Sequence, residues 1–492
     1  MRYFTITTLG CKVNQYDGSA VAGALRRAGW SPAGPGRRPN LVLVNTCCVT
    51  ATAMRKSRQA IRRAVRAAPS AAVFVLGCYG AADPARLRRL LRTLGVPDGN
   101  VLIAGNHDDL SARVSRFIEG NDSLSYETTE GRKGFDEFHD ESGLAHVKKR
   151  RKDMLRGGCV GTEGLGLLRE FAGHQRAFVK VQDGCDAFCN YCIVPYARPR
   201  VWSRREEDIL AECRQLVEAG HKEIVLCGVF LGAFGRATAI RRKWDNTPSK
   251  LPQLVRKVSE IPGLWRVRLS SLEPGDVSDE LLAVLRDAST AAPHLHLPLQ
   301  NGSDRILRRM NRQYRSADYR DAVSRLREAL NRPAVTTDII VGYPGETDDD
   351  FAETLAVARE AGFAKIHIFP FSPLEPTGAW LRRDEIPSQG VVRKRLEQLS
   401  ELEAKLAQNY RGQFVGETLE GLVENATTPN GKPVSMSACR SALLGKRTRK
   451  AMTSRYLTVA FPASSGDDLT GRIVNLKITG VTDEGLLGKH IS

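Results

Sequence analysis

Between residues 176 and 405 the chain switches between strand-like and helix-like patterns about six times, and this alternation limits its fold more than any other feature. Strand-like runs lie at 177–181, 223–227, 266–270, 294–299, 335–341 and 365–371. Helical periodicity fills 204–219, 276–287, 319–330 and 349–361 between them. Repeated β/α units call for a parallel sheet with helices against its outer face. Six units fall short of the eight that close a barrel. The expectation is an α/β protein whose main domain, over 171–405, is a curved, partly open (β/α)6 barrel with its site at the strand C-terminal ends. Residues 236–251 read as a local, loop-like insertion that is basic at its start.

The flanks differ from this core. Residues 1–118 predict a separate parallel-sheet α/β domain, with strands at 3–8, 41–45, 73–76 and 101–104 and helices around 19–28 and 52–67. Cys11, Cys47 and Cys78 each follow one of these strands. The carboxyl ends of parallel strands share one sheet edge, so three residues far apart in sequence are expected to converge there. Residues 119–170 read as a linker or insertion, with a Lys148–Lys152 basic run and a glycine-rich stretch that follows no strand and so makes a poor phosphate loop. Residues 411–480 carry short strands at 418–423, 456–461 and 471–478, the pattern of a small β-barrel.

Composition narrows the partners. The 492 residues are 42% hydrophobic and 26% charged, which excludes a mostly disordered chain. No apolar run approaches the ~20 residues of a membrane span, and the N-terminus lacks a secretory pattern, so a cytoplasmic protein is expected. The net charge of +18 favours a polyanion such as nucleic acid. Residues 18–82 hold ten basic and no acidic side chains, and residues 425–466 hold seven basic and again none acidic. Eleven cysteines in a reducing compartment point to burial, catalysis or metal ligation rather than disulfides.

The decisive motif is Cys185, Cys189 and Cys192, spaced C-x3-C-x2-C after the first strand of the core, with Tyr191 before the last cysteine. Three thiolates on one loop suit an iron–sulfur cluster. Structural zinc takes four ligands, and no fourth Cys or His is near in sequence. Three ligands leave one iron of a four-iron cluster open to chemistry.

This pattern resembles the radical S-adenosylmethionine (SAM) superfamily. The resemblance implies that the open iron chelates SAM, and that one electron cleaves SAM to a 5′-deoxyadenosyl radical. Other segments are similar to SAM-pocket stretches of that superfamily: Gly228 after the second strand, Ser271 and Glu273 after the third, Gln300 and Asn301 after the fourth, and Asp338 with Gly342 at the fifth. Asn301 stands where the methylthiotransferase subfamily commonly has Ser. That subfamily also accounts for Cys11, Cys47 and Cys78, which match its ligands for a second [4Fe-4S] cluster, the one thought to hold the sulfur that is transferred. Cys48 is a bystander in that register. The tail resembles the family's TRAM-like RNA-binding barrel, with Arg440, Lys446, Arg447, Arg449, Lys450 and Arg455 as its RNA-contacting candidates.

The stretch Gly10-Cys-Lys-Val-Asn-Gln-Tyr-Asp17 looks like the branch acting on threonylcarbamoyladenosine of tRNA. Its implied reaction adds a methylthio group to adenine C2 at position 37. One SAM methylates cluster-held sulfur, and a second provides the radical that removes the C2 hydrogen. Implied partners are the tRNA anticodon stem-loop, a low-potential electron donor and a sulfur donor. The alternatives are another tRNA adenosine, a ribosomal-protein aspartate, or a non-enzymatic metal-containing RNA-binding protein.

Blander roles stand beside these. Cys159, Cys213, Cys227 and Cys439 are expected to be ordinary buried thiols. Asp338 has an alternative as a turn residue. Arg55, Lys56, Arg58, Arg62, Arg63 and Arg66 spread round one helix, about half of them simply solvated, the rest open to phosphate. Arg308, Arg309 and Arg312 carry the same two readings. His294 and His296 alternate on a strand, so at most one is expected to face the barrel interior, with packing more common than ligation.

Overall fold

The computed structural model describes residues 1–105, 113–114, 116, 165–171, 173–245, 247–424, 447–463 and 468–491. Its N-terminal part runs β1 (Arg2–Thr8), α1 (Lys12–Arg27), β2 (Trp30–Pro32), β3 (Leu41–Thr46), α2 (Ala51–Ala67), β4 (Ala72–Gly77), α3 (Cys78–Ala82), α4 (Pro84–Thr93) and β5 (Val101–Ile103). The five strands form one parallel sheet in the order β2-β1-β3-β4-β5. The continuous apolar runs of β3 and β4 place them centrally, where both faces are covered. Helix α2 is an ordinary surface helix, burying only Ser57, Ile61 and Val65, and Thr50 caps it by accepting from Ala53 N. Helix α1 is buried nearly all round, including Asn14 and Asp17. It begins seven residues before the expected start at 19, because its first turns are polar and only tertiary contacts bury them.

The second part adds β6 (Arg176–Lys180), β7 (Gln182–Asp183), β8 (Trp202–Ser203), β9 (Glu223–Cys227), β10 (Arg266–Leu269), β11 (His294–His296), β12 (Ala334–Val341) and β13 (Lys365–Pro370). β6, β9 and β10 pair in parallel, as do β11, β12 and β13. Bridges Val267↔Ala291 and Ser271↔His296 join the two triplets into one curved six-stranded sheet. β7 and β8 form a small antiparallel ribbon beside it. Strand β11 stops three residues short of the expected 299, at the approach to Pro298, which has no N–H for a ladder. The core of this barrel is continuous with that of the N-terminal part: Val13, Tyr16 and Val21 of α1 share it with Ala177 and Val179 of β6.

A 24-residue helix, Gln389–Gly412, leads to β14 (Thr418–Val423), β15 (Arg447–Thr453), β16 (Thr458–Ala463), β17 (Ile473–Val481) and β18 (Leu486–Ile491), which close as β14-β15-β16-β18-β17. Strands β15 and β18 were not expected; the first reads as a basic run and the second is short with a central glycine. The small barrel docks by the turn after β15. Arg268 donates to Thr453 O and Ser454 O at 3.2 and 3.0 Å, and Arg266 to Met452 O at 3.4 Å. Buried Glu223 neutralises both arginines, and Tyr456 stacks on His294 at 4.9 Å. Among the described residues, no helix is long and apolar enough to cross a membrane.

Candidate active site

The three N-terminal cysteines sit at the C-terminal ends of the adjacent strands β1, β3 and β4. Two asparagines knit their loops. Asn14 Nδ2 donates to Leu9 O (2.9 Å) and Thr46 O (2.7 Å), and Asn45 Nδ2 donates to Asn14 O (2.6 Å). Ser57 brackets Cys47, accepting from its N–H at 3.1 Å and donating to its carbonyl at 2.9 Å. Gly10 has φ +101, and a Cβ there would lie 3.0 Å from Cys47 Cβ. The glycine lets the first loop close over the second. Cys48 points the other way, into an apolar core with Val44, Ile61 and Val65.

The second trio lies on the loop after β7. Gly184 (φ +78) opens it, where a side chain would run into the Arg200 carbonyl. Cys185 N donates to Arg198 O at 3.0 Å, and Cys192 N to Cys189 O at 2.9 Å. Asn311 Nδ2 holds the carbonyls of Ala187 and Phe188 at 3.1 and 3.0 Å. The two loops meet: Cys78, Tyr79 and Ala82 pack with Phe188, Ile193 and Tyr196.

Electrostatics treats the two trios alike. Burial, reinforced by Cys78, pushes the Cys47 thiol up to about 12. Burial, reinforced by Cys189, pushes Cys192 up to about 12. Cys78 and Cys185 also shift upward, chiefly by burial. Thiols grouped like this ionise together only beside a compensating cation, as metal ligands do. Each trio already has one guanidinium. Arg198 Nε lies 3.4 Å from Cys78 Sγ, and Arg312 Nη1 lies 3.2 Å from Cys189 Sγ. Arg198 also binds Asp183 (2.7 Å) and Asp17 (2.7 Å), and Lys180 bridges the same two aspartates at 3.0 and 2.6 Å. This four-member hub, buried throughout, ties α1 to the barrel. Arg312 is held by Glu273 at 2.7 Å.

The donor set fits a cluster better than one ion. Structural zinc takes four ligands, whereas three thiolates leave one iron of a four-iron cluster open. Cys11, Cys47 and Cys78 at three adjacent strand ends, and separately Cys185, Cys189 and Cys192 on one loop, therefore have the donor chemistry to hold an iron–sulfur cube.

Comparisons with known proteins identify the family of the chain. Residues 179–358 match the Radical SAM superfamily, and residues 3–95 match Uncharacterized protein family UPF0004. The chain is 34% identical to the threonylcarbamoyladenosine tRNA methylthiotransferase MtaB of Chlamydia pneumoniae, covering 99% of this chain and 98% of the relative. It is 32% identical to the MtaB of Bacillus subtilis over 96% of this chain and 92% of the relative. The chain belongs to the radical SAM methylthiotransferase family. It is also 31% identical to a tRNA-2-methylthio-N(6)-dimethylallyladenosine synthase of Acetivibrio thermocellus, over 100% of this chain and 91% of the relative. Among solved structures, the radical SAM methyltransferase TsrM of Kitasatospora setae, with cobalamin and a [4Fe-4S] cluster bound, superposes with a TM-score of 0.49 at 16% identity, covering 77% of each chain. As members of this family do, the protein uses SAM and a [4Fe-4S] cluster and transfers a sulfur-containing group.

The remaining expected site residues divide. Gly228, Ser271, Glu273, Gln300, Asp338 and Gly342 all fall at or beyond C-terminal halves of barrel strands. Gln300 adopts φ 65, and its side-chain amide bonds to no other described residue. Asn301 differs. It is fully buried, its amide donating to Glu346 Oε1 (2.8 Å) and its carbonyl accepting from Ser303 N (2.9 Å) and Thr354 Oγ1 (3.2 Å), so it braces the loop rather than facing a ligand. Asp338 lies within β12 and is no turn residue. Arg312, read as a phosphate contact or a solvated side chain, is instead the buried partner of Cys189. Arg455, read as an RNA contact, donates inward to Asn331 O and Arg332 O at 3.0 and 3.1 Å. Arg449 and Lys450 lie on β15, while Cys159, Cys439, Arg440, Lys446 and the side chain of Arg447 fall outside the described residues. His294 and His296 share a face, as residues two apart on a strand must, and both meet Thr336 Oγ1, at 3.1 and 3.0 Å. Sequence reasoning missed Asn14, Asn45, Arg198 and Asp183; only the adjacency of each to a cysteine motif pointed their way.

Proposed function

We propose that this chain is a cytoplasmic tRNA methylthiotransferase that places a methylthio group on C2 of N6-threonylcarbamoyladenosine at position 37, beside the anticodon. The observation that carries this reading is the pair of three-thiol sites on adjoining loops, each faced by one buried guanidinium. Two relatives named for threonylcarbamoyladenosine support the substrate, and the dimethylallyladenosine relative names its competitor.

In this reading residues 1–118 hold one cluster through Cys11, Cys47 and Cys78, and residues 171–405 hold the other, with SAM, through Cys185, Cys189 and Cys192. When bound, such clusters supply a low-potential electron for SAM cleavage and a resting place for the transferred sulfur. The chain's own residues do the positioning. Arg198 and Arg312 donate toward one thiolate in each trio and offset its charge. Gly228, Ser271, Glu273, Gln300, Asp338 and Gly342 would line the SAM pocket; Gly342 takes φ +79, and a Cβ there would lie 2.7 Å from Val392 Cγ2, so the turn after β12 needs glycine. An aromatic C–H is too weakly acidic for a side-chain base, so no general base is assigned. Exposed Arg55, Lys56, Arg63 and Arg66 of α2, with Arg440, Lys446, Arg447, Arg449 and Lys450 of the C-terminal sequence, would grip the anticodon arm through phosphates. A low-potential electron donor and a sulfur donor complete the system.

Nucleoside mass spectrometry of tRNA from a deletion strain tests the substrate. The 2-methylthio form of threonylcarbamoyladenosine should vanish and the unmethylthiolated nucleoside accumulate; an unchanged profile rejects the reading.

A further inference from the structure

Arg198 touches both cysteine trios at once. It ends the short helical turn Val194–Ala197, just past Cys192. Its carbonyl accepts from the Cys185 N–H at 3.0 Å, while its side chain crosses to the N-terminal part. There Nε lies 3.4 Å from Cys78 Sγ, and Nη2 donates to Asn14 Oδ1 (3.0 Å) and Asp17 Oδ2 (2.7 Å). Nη1 reaches both carboxylate oxygens of Asp183 at 2.7 Å. A guanidinium carries five N–H donors, and these acceptors match that number. The fork is therefore fixed, and its Nε–H edge is committed to sulfur. Asn14, which the fork orients, is the residue whose amide ties Leu9 O to Thr46 O across the loops of Cys11 and Cys47.

The charges around this contact balance. Arg198 and Lys180 face Asp17 and Asp183, two cations against two carboxylates, and none of the four side chains is more than 4% exposed. Salt screens buried charges little. Neutralising one member therefore leaves one uncompensated charge of known sign close to Cys78: negative when a cation is lost, positive when a carboxylate is lost. The barrel trio is arranged differently, since Arg312, beside Cys189, shares Glu273 with Arg241.

The reduction potential of an iron–sulfur cluster depends on net charge, exposure and the hydrogen bonds its sulfurs receive. A donor on a thiolate sulfur and a cation nearby both favour an added electron. We propose that the buried hub, acting through Arg198 on Cys78, sets the reduction potential of the N-terminal cluster and raises it. This rests on the reading above that Cys11, Cys47 and Cys78 hold a cluster. Arg198 is a positioning residue in this role, because it touches a cluster ligand and not the substrate. Electron counting shows what the role serves. A thiolate sulfur that bonds to a carbon radical gives up one electron, and the cluster holding that sulfur is the acceptor beside it. A raised potential favours that uptake.

The test is an EPR-monitored redox titration of the full chain carrying Cys189→Ala, reconstituted anaerobically so that the N-terminal cluster gives the signal. Adding Arg198→Met should lower the equilibrium constant for one-electron reduction about tenfold, the order of one buried charge nearby, which is a fall of about 59 mV. Lys180→Met removes the other cation but leaves the Arg198–Cys78 contact, and should lower it by a smaller factor. Asp17→Asn removes a carboxylate and should raise it. All three variants break buried ion pairs and lose stability, so a merely structural role would move the potentials in one direction or not at all. Opposite signs for the cation and carboxylate variants, at an unchanged iron content of roughly four per chain, support the hub. Shifts of one sign, or none, overturn it and leave the cluster reading in place. If Arg198→Met takes up no iron, the opposed pair Lys180→Met and Asp17→Asn decides in the same way. Failure of the Cys189→Ala parent itself to bind iron overturns the cluster reading, and the tuning role with it.

Discussion

The two cysteine trios reach the same arrangement by opposite routes. The barrel trio is local: eight residues of one loop, pinned by backbone hydrogen bonds and by Asn311. The N-terminal trio is assembled from three loops, 36 and 31 residues apart, and exists only when β1, β3 and β4 lie side by side. A local loop tolerates loosening of the surrounding fold, whereas a site spread over three strand ends fails with the sheet. Both nevertheless converge on one electrostatic device, a buried arginine facing one thiol.

The sharpest way to separate the trios is to break one at a time. Cys189→Ala should abolish SAM cleavage and halve the iron of the anaerobically reconstituted protein, from roughly eight to roughly four per chain, one cluster's worth. Gly77→Val should also leave roughly four irons but spare SAM cleavage, since its side chain would strike Asn45 and Thr46 at the end of β3, with φ +94 already unfavourable. If Gly77→Val empties both sites, the trios are not separable in the way their topology implies.

Arg198→Met should come next in size. It leaves Asp17 and Asp183 buried with Lys180 as their remaining close cation, a loss of about 3–5 kcal/mol in unfolding free energy by denaturant titration. Arg312→Met should cost less, because it strips the hub of nothing and leaves only Glu273, which retains Arg241 at 3.3 Å. A larger loss for Arg312→Met would reverse the comparison.

Acid should act on the hub as well. Burial raises the Asp183 pKa, but Arg198 and Lys180 outweigh it and bring the carboxyl down to about 2. Its contribution to stability is therefore complete above the unfolded-state value near ~4 and is lost as pH falls from there toward 2. Thermal melts between pH 6 and 3 should show this loss, and Arg198→Met should flatten it. The smallest effect belongs to the surface. Arg63→Ala, on the exposed side of α2, should leave the melting temperature nearly unchanged and lower the salt dependence of RNA binding by about one phosphate contact.

Much of this was legible beforehand, for reasons that differ by region. The strands of the β/α barrel announce themselves because apolar strand cores alternate with amphipathic helices, and 223–227 matches the observed limits of β9; in the all-β tail the short run 418–423 matches β14. The two trios follow from spacing and strand ends. What stayed hidden depends on tertiary context. The first turns of α1 look polar, and Asn14 and Asp17 become core residues only when the helix lodges against β6. Arg312 and Arg455 look like surface charges in a row of surface charges, and only the fold reveals which one turns inward. The two histidines of β11 could have been placed on one face from strand periodicity alone.

The arginines beneath the small barrel grasp main-chain oxygens at Met452, Thr453 and Ser454, not side chains. Every amino acid offers that same oxygen. At these three positions the joint fixes the path of the turn while leaving its lettering open; what ties the joint to particular side chains is Tyr456 on His294, Arg455 on the carbonyls of Asn331 and Arg332, and Glu424 with Arg176.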